Sequence, residues 1–280
     1  MNNNLTLLLS CIISIALLHS CETEFYYRGG ERDLVYLSSF IETDQDTNIF
    51  ALFKAAGVKD ELMGYDGKYL FKESFSIRVN GTEVHSFKNN GTSKSFNDNF
   101  YYTTYRFTPG DEIRIDVSAQ DLPDAFAEVR IPEQFNPTNC QLSYDPDNTF
   151  IVSISDTPGT EDYYGVKLEV RILDSARSSP LVFLDDSGRD GKSLSVNLSS
   201  ITKYILGPDE NPYDFCYRII IRKYTKDSYR EAKRKQINYD DDMIHFGVTA
   251  PFLARWSNVE GGVGFVSVFS ESRTEWICLQ

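Results

Sequence analysis

Apolar and polar residues alternate with a period of two in four separate stretches of this chain. That period fits strands with one buried and one solvated face, and little else. Phe75, Ile77 and Val79 alternate with Ser76 and Arg78, and Asn80-Gly81 then supplies a type I′ turn before Thr82 and Val84. Ile113, Ile115 and Val117 alternate with Glu112, Arg114, Asp116 and Ser118, directly after the turn Thr108-Pro109-Gly110-Asp111. Val166, Leu168, Val170 and Ile172 alternate with Lys167, Glu169 and Arg171, and Phe215, Tyr217, Ile219 and Ile221 with Cys216, Arg218 and Arg222. Antiparallel sheets packed as sandwiches are predicted. The amphipathic helices that a parallel doubly wound sheet places between its strands are absent. The expected class is all-β: two β-sandwich-like domains with one short helix in the second.

That helix is expected over Tyr229 to Gln236, with Ser228 as N-cap and Glu231 three residues on completing a capping box. Arg230, Lys233, Arg234 and Lys235 make it basic, and Asp240-Asp241-Asp242 follows. It reads as a surface helix balanced by neighbouring acids, the alternative being a docking patch for an acidic partner. A domain boundary is expected in Ile131-Pro132-Glu133-Gln134-Phe135-Asn136-Pro137-Thr138, where two prolines and polar residues follow a strand-like run. The predicted division is 1–20 signal peptide, 21–32 lipidated N-terminus and linker, 33–133 first sandwich and 134–280 second β-rich domain.

The N-terminus reads as an address. Met1 to Ser20 carry no Asp, Glu, Lys or Arg, and Leu5 to Leu18 are almost wholly apolar. Fourteen residues at helical rise cover about 21 Å, short of the roughly 30 Å hydrocarbon core, which suits a secretory h-region. Leu18-His19-Ser20-Cys21 then resembles the lipobox of bacterial lipoproteins, making Cys21 the expected lipidated residue. His19 is an unusual filler, and no Lys or Arg precedes the apolar run. Leu8-Leu9-Ser10-Cys11 has the same spacing but only Leu5 to Leu9 as h-region, so Cys21 is the better site. The alternative is an ordinary cleaved signal with an incidental Cys. A diacylglycerol plus an amide-linked chain would anchor stably, since one acyl chain alone binds only marginally.

Lys and Arg total 28 against 41 Asp and Glu, a formal charge of -13, so the chain as a whole repels phosphate backbones and nucleic acid is not an expected partner. The three histidines, His19, His85 and His245, form no zinc-ligand spacing, and no G-x-S-x-G elbow supports a serine triad. Gly261-Gly262-Val263-Gly264 lacks the Lys of a phosphate loop and reads as a bulge or tight turn between strands. Asp185-Asp186-Ser187-Gly188-Arg189-Asp190-Gly191 has some of the oxygen density of a calcium loop, but Gly188 and Arg189 interrupt the ligand alternation and no Glu follows at EF-hand distance. Tyr144-Asp145-Pro146-Asp147-Asn148 is a similar partial match. Both read as polar hairpin turns. No metal, cofactor or catalytic residue is therefore assigned.

Two groups stay open. The aromatic run Phe96, Phe100, Tyr101, Tyr102, Tyr105 and Phe107 either fills a core or presents a stacking surface beside the loop Lys88-Asn89-Asn90-Gly91-Thr92-Ser93-Lys94. Of Cys140, Cys216 and Cys278, one pair at most forms an internal disulfide, and the sequence does not choose it.

Several strings, in order, resemble the DUF4249 family of Bacteroidota lipoproteins. They are the lipobox with Glu22-Thr23-Glu24 behind it; Phe107-Thr108-Pro109-Gly110-Asp111-Glu112-Ile113; Asp156-Thr157-Pro158-Gly159-Thr160-Glu161-Asp162-Tyr163-Tyr164; and Asn258-Val259-Glu260-Gly261-Gly262-Val263-Gly264-Phe265. The resemblance implies an immunoglobulin-like or carboxypeptidase-regulatory-like sandwich followed by a second β-rich domain. It also implies an outer-membrane setting beside a TonB-dependent transporter, and the acidic residues after Cys21 favour the cell-exterior face. It brings no catalytic residue and no ligand. The expected function is a non-enzymatic envelope lipoprotein, held by its lipid at the outer membrane, that serves a TonB-dependent uptake system as accessory or ligand-binding component. The alternatives are a cell-surface hydrolase built on two carboxylates and an adhesin or envelope-structural protein.

Overall fold

The computed structural model describes residues 33–55, 70, 72–89, 100–145, 149–172, 175–187, 190–198, 214–239 and 257–278. In chain order the strands of the first part are β1 (Leu34–Glu42), β2 (Asn48–Ala55), β3 (Ser74–Val79), β4 (Thr82–Val84), β5 (Phe87–Lys88), β6 (Phe100–Thr103), β7 (Glu112–Ser118) and β8 (Ala125–Arg130). After a 3-10 turn at Pro137–Asn139 come β9 (Cys140–Asp145), β10 (Thr149–Ser155), β11 (Tyr163–Ile172), β12 (Ser175–Ser178), β13 (Val182–Asp185), β14 (Ser193–Asn197) and β15 (Cys216–Tyr224). Helix α1 (Lys226–Tyr239) follows, and β16 (Val259–Glu260), β17 (Val263–Arg273) and β18 (Ile277–Cys278) close the described chain. The all-β expectation holds. The four alternating stretches became β3, β7, β11 and β15, and Asn80 and Gly81 take the positive φ values, 50° and 80°, that a type I′ turn needs.

One long sheet, in the order β12-β11-β15-β17-β1-β2-β6-β5, is the backbone of the molecule. Two smaller sheets pack on it. The sheet β16-β8-β7-β3-β4 faces β17, β1, β2 and β6, and between them lies a core that includes Val35, Leu37, Phe50, Leu52, Ile77, Ile113, Ile115, Ala127 and Val266. The sheet β14-β10-β9 faces β11 and β15 across a second core that includes Phe150, Val152, Ile154, Val166, Leu168, Tyr217, Ile219 and Ile221. The register Ile221↔Ser272 on β15 and β17 shows that both cores lie on one face of the long sheet. Helix α1 covers the other face, where Tyr163, Tyr224, Tyr229 and Phe269 form a third apolar cluster.

Three expectations are corrected. The chain does not divide cleanly at 133/134: β17 pairs with β1 in parallel, β16 pairs with β8, and Val259, Val266 and Val268 belong to the first core. The pairing of β1 with β17 is also parallel, against an expectation of antiparallel sheets throughout. The third concerns the helix, which starts at Lys226. Thr225 caps it, its carbonyl accepting from Tyr229 N–H at 2.9 Å and its hydroxyl oxygen from Ser228 N–H at 3.3 Å. Ser228 is buried, and its Oγ instead accepts from the Val268 N–H of β17 at 3.0 Å.

The connection between the cores runs against β17. Ile131 is buried in the first core and Phe135 in the second. Between them Ser270 and Ser272 donate to the carbonyls of Glu133 and Phe135 at 3.2 and 2.6 Å, and Gln134 Nε2 donates to the Glu271 carbonyl at 3.1 Å. Backbone polar groups left by the crossing are thus satisfied by the strand that both sandwiches share.

Candidate functional site

Alternation along β1 sends Val35, Leu37 and Ile41 inward and Tyr36, Ser38, Phe40 and Glu42 outward. The register with β2 and β6 places Ile49, Ala51, Phe53, Phe100 and Tyr102 on the same outer face. A solvated sheet face is normally polar. This one carries Phe40 at 42% and Ile49 at 55% exposure, and Phe87 of β5 is also exposed. Its aromatics form a ladder: Phe87 stacks on Tyr102 at 5.2 Å, and Phe53 meets both Tyr36 at 6.2 Å and Phe100 at 6.1 Å. A shallow depression of about 420 Å³ lies against Ser38, Phe40, Asn48, Ile49 and Ala51. These exposed apolar residues make the face a candidate contact surface.

A polar cleft of about 370 Å³ opens at the seam of the two sandwiches, lined by Glu42, Thr43, Gln134, Glu271 and Arg273 among others. Glu271 accepts from Arg222 Nε at 2.9 Å and lies 2.6 Å from Arg273 Nη2, while Arg222 also reaches Glu42 at 3.7 Å. Burial raises the Glu42 carboxyl and the charge of Glu271 raises it further, outweighing Arg222, so it sits above the ordinary carboxylate range. Burial also pushes Glu271 upward, but Arg222 and Arg273 prevail and hold it below that range. Both carboxyls share Arg222, and Arg273 adds a second cation at Glu271, so the cleft is built around an ionic network.

The aromatic run divides by strand alternation. Tyr101 and Phe107 are buried in the first core, Phe100 and Tyr102 stand half-buried on the outer ladder, and Tyr105 is exposed. The core reading thus holds for Tyr101 and Phe107, while Phe100 and Tyr102 face outward. His85 packs edge-on against Phe87 at 4.3 Å, and its carbonyl accepts from Thr103 Oγ1 at 2.7 Å, a structural placement. Cys216 and Cys278 form the disulfide, directly opposite each other on β15 and β18, and Cys140 is free and half-buried, with burial pushing its thiol up to about 12. On α1, Arg234 bonds to the buried Glu231 at 2.8 Å and Lys226 to Glu161 at 3.0 Å, so part of its basic charge is balanced by an acid on the helix itself and one in the loop before β11. Cys21, Phe96, residues 90–94, Asp240 to Asp242 and His245 lie outside the described residues.

The hairpin expected at 185–191 is corrected: β13 pairs with β11 in the long sheet and β14 with β10 in the small one, so the chain passes there from one sheet to the other. Asp186 and Asp190 converge there with Asp156 from the end of β10, one oxygen of each lying within 4.8 Å of the others. No motif spacing announces this, because Asp156 is thirty residues upstream and only the sandwich brings it near. Asp156 belongs to the Asp156-Thr157-Pro158-Gly159 turn singled out in the sequence, where Gly159 takes φ 97° and its N–H donates to Asp190 at 2.8 Å.

A family described as "Domain of unknown function (DUF4249)" matches residues 21–275. The chain belongs to the DUF4249 family. Among curated proteins no relative matches. Among solved structures, the FN1-FN3 domains of chicken CNTN1 align with this DUF4249 chain at 10% identity and a TM-score of 0.28, over 67% of this chain and 57% of that one. The chain thus spans little more than half of that structure. No helix among the described residues is long and apolar enough to cross a membrane.

Proposed function

We propose that this DUF4249 protein is a non-enzymatic lipoprotein of the cell envelope, held at the outer membrane through lipid on Cys21, and that it docks on a TonB-dependent receptor through the outer face of its first sandwich. The observation that carries the reading is the apolar ladder around Phe40 and Ile49, exposed on a sheet whose opposite face already has a complete core. Eleven residues separate Cys21 from Asp33, an extended reach of at most about 40 Å, so the first sandwich is the one kept close to the bilayer. The Cys216–Cys278 disulfide is in keeping with an oxidising compartment outside the cytoplasm. The family match, which begins at Cys21, supports the same N-terminus for the lipidated chain.

The anchor is tested by metabolic labelling with a fatty-acid analogue and fractionation of cells expressing the tagged chain. Wild type carries label and sediments with outer membranes; Cys21→Ala loses the label and becomes soluble. A Cys21→Ala variant that stays in the outer membrane removes the lipoprotein reading.

A further inference from the structure

We infer that Asp156, Asp186 and Asp190 form a binding site for a hard divalent cation, Ca²⁺ in the first instance, in the second sandwich. Asp186 follows β13 directly and is 1% exposed, yet neither of its carboxylate oxygens has a hydrogen-bond partner among the described residues. A buried carboxylate without donors is costly, and the usual remedies are a proton, a cationic side chain or a metal. No salt bridge reaches any of the three carboxylates among the described residues. The nearby Lys223 is engaged with Asp162 at 2.8 Å.

The other two ligands are already oriented. The Tyr164 hydroxyl lies 3.0 Å from Asp156 Oδ1, and Gly191 N–H donates to Asp156 Oδ2 at 3.0 Å. Gly159 N–H donates to both oxygens of Asp190, at 2.8 and 3.0 Å. Each of these oxygens keeps a lone pair, and outer donors of this kind fix carboxylates for a metal. Three carboxylates with no nitrogen or sulfur ligand suit Ca²⁺, which accepts six to eight oxygens in flexible geometry, and not zinc. With solvent completing the shell, half-saturation is expected at about 0.1–1 mM, the range of extracellular calcium modules. The cation would tie the ends of β10 and β13 to the 190–191 turn.

The test uses the full lipidated chain purified in detergent and stripped with EDTA. Isothermal titration with CaCl₂ should give one site per chain, and 2 mM Ca²⁺ should raise Tm by a few degrees. Asp186→Asn should abolish both responses while raising the Tm of the calcium-free protein. Should Asp186→Asn not fold, Asp190→Asn, at an exposed position, must weaken binding at least tenfold. Unchanged heat and Tm with Ca²⁺ overturn the site, as does a response to Mg²⁺ alone. Calcium binding that persists in both variants also overturns it, since the ion would then sit elsewhere.

Discussion

Gly264 and the pair Glu42–Glu271 show how single residues set this fold. Gly264 adopts φ 120°, and a Cβ there would fall 2.0 Å from the Leu37 carbonyl oxygen of β1, with backbone on every near side. Any side chain must therefore push β17 off β1, and neither strand can give. Gly264→Ala is expected to cost about 3 kcal/mol or more in chemical denaturation. Gly261 is constrained in the same way, since a Cβ on it would fall 2.0 Å from the Asp124 carbonyl oxygen, and its turn carries the chain from the β16 sheet into the long sheet. The carboxyl pair makes a prediction of opposite signs. Glu271 lies below its ordinary value of 4.5, so the stability it contributes is present above that pH and fades as pH falls through the folded value. Glu271→Gln should lose about 1–3 kcal/mol at pH 7, the gap closing below pH 4.5. Glu42 lies above 4.5, so its contribution is full below that pH and is lost as pH rises through the folded value. Glu42→Gln should match or exceed wild-type stability at pH 7 by up to about 1 kcal/mol and converge on it in acid. Thermal melts from pH 3 to 8 read both, and shifts of the same sign at pH 7 would contradict the assignment.

Among the elements, β17 explains both what the sequence disclosed and what it hid. Strands with one solvated face, such as β7, keep a two-residue period that is visible locally. β17 is buried on both faces, by the first core and the linker on one side and by α1 on the other, so its alternation is erased. Its partner β1 lies over two hundred residues away, and no local signal encodes a parallel pairing at that range. The helix was legible, but its start was not: Ser228 fits a cap by type, yet its hydroxyl is drawn to Val268 N–H, and Thr225 takes the cap. The proline-rich segment marked where the chain leaves the first core, and could not show that β16 and β17 return to it. Nor could any spacing join Asp156 to Asp186. The disulfide is similar, since only the register of β15 with β18 selects Cys278 over Cys140 for Cys216. It closes a loop with a sequence separation of 62, for which chain entropy gives about 4 kcal/mol, so Cys216→Ser with Cys278→Ser should lose about 2–4 kcal/mol in urea.

On the scale of the whole molecule, two cores share one sheet and one strand, β17, holds both together. Unfolding should therefore be a single transition despite the two cores. A fragment ending at residue 133 lacks β16 and β17, leaving β1 as an open edge and the first core without Val259, Val266 and Val268. That fragment should show no cooperative melt by circular dichroism, and a sharp transition would contradict the shared-strand account. The outer ladder around Phe40 and Ile49 is a separate matter, since changing it should leave stability within about 0.5 kcal/mol. The most direct measurement is a quantitative affinity capture, from outer membranes, of the lipidated protein and its Phe40→Glu, Ile49→Glu double variant, read by mass spectrometry. The account predicts a stoichiometric TonB-dependent receptor with wild type and its loss, by tenfold or more, with an equally stable and equally lipidated variant. Capture of the wild-type protein alone, or a receptor retained in full by the variant, would contradict it.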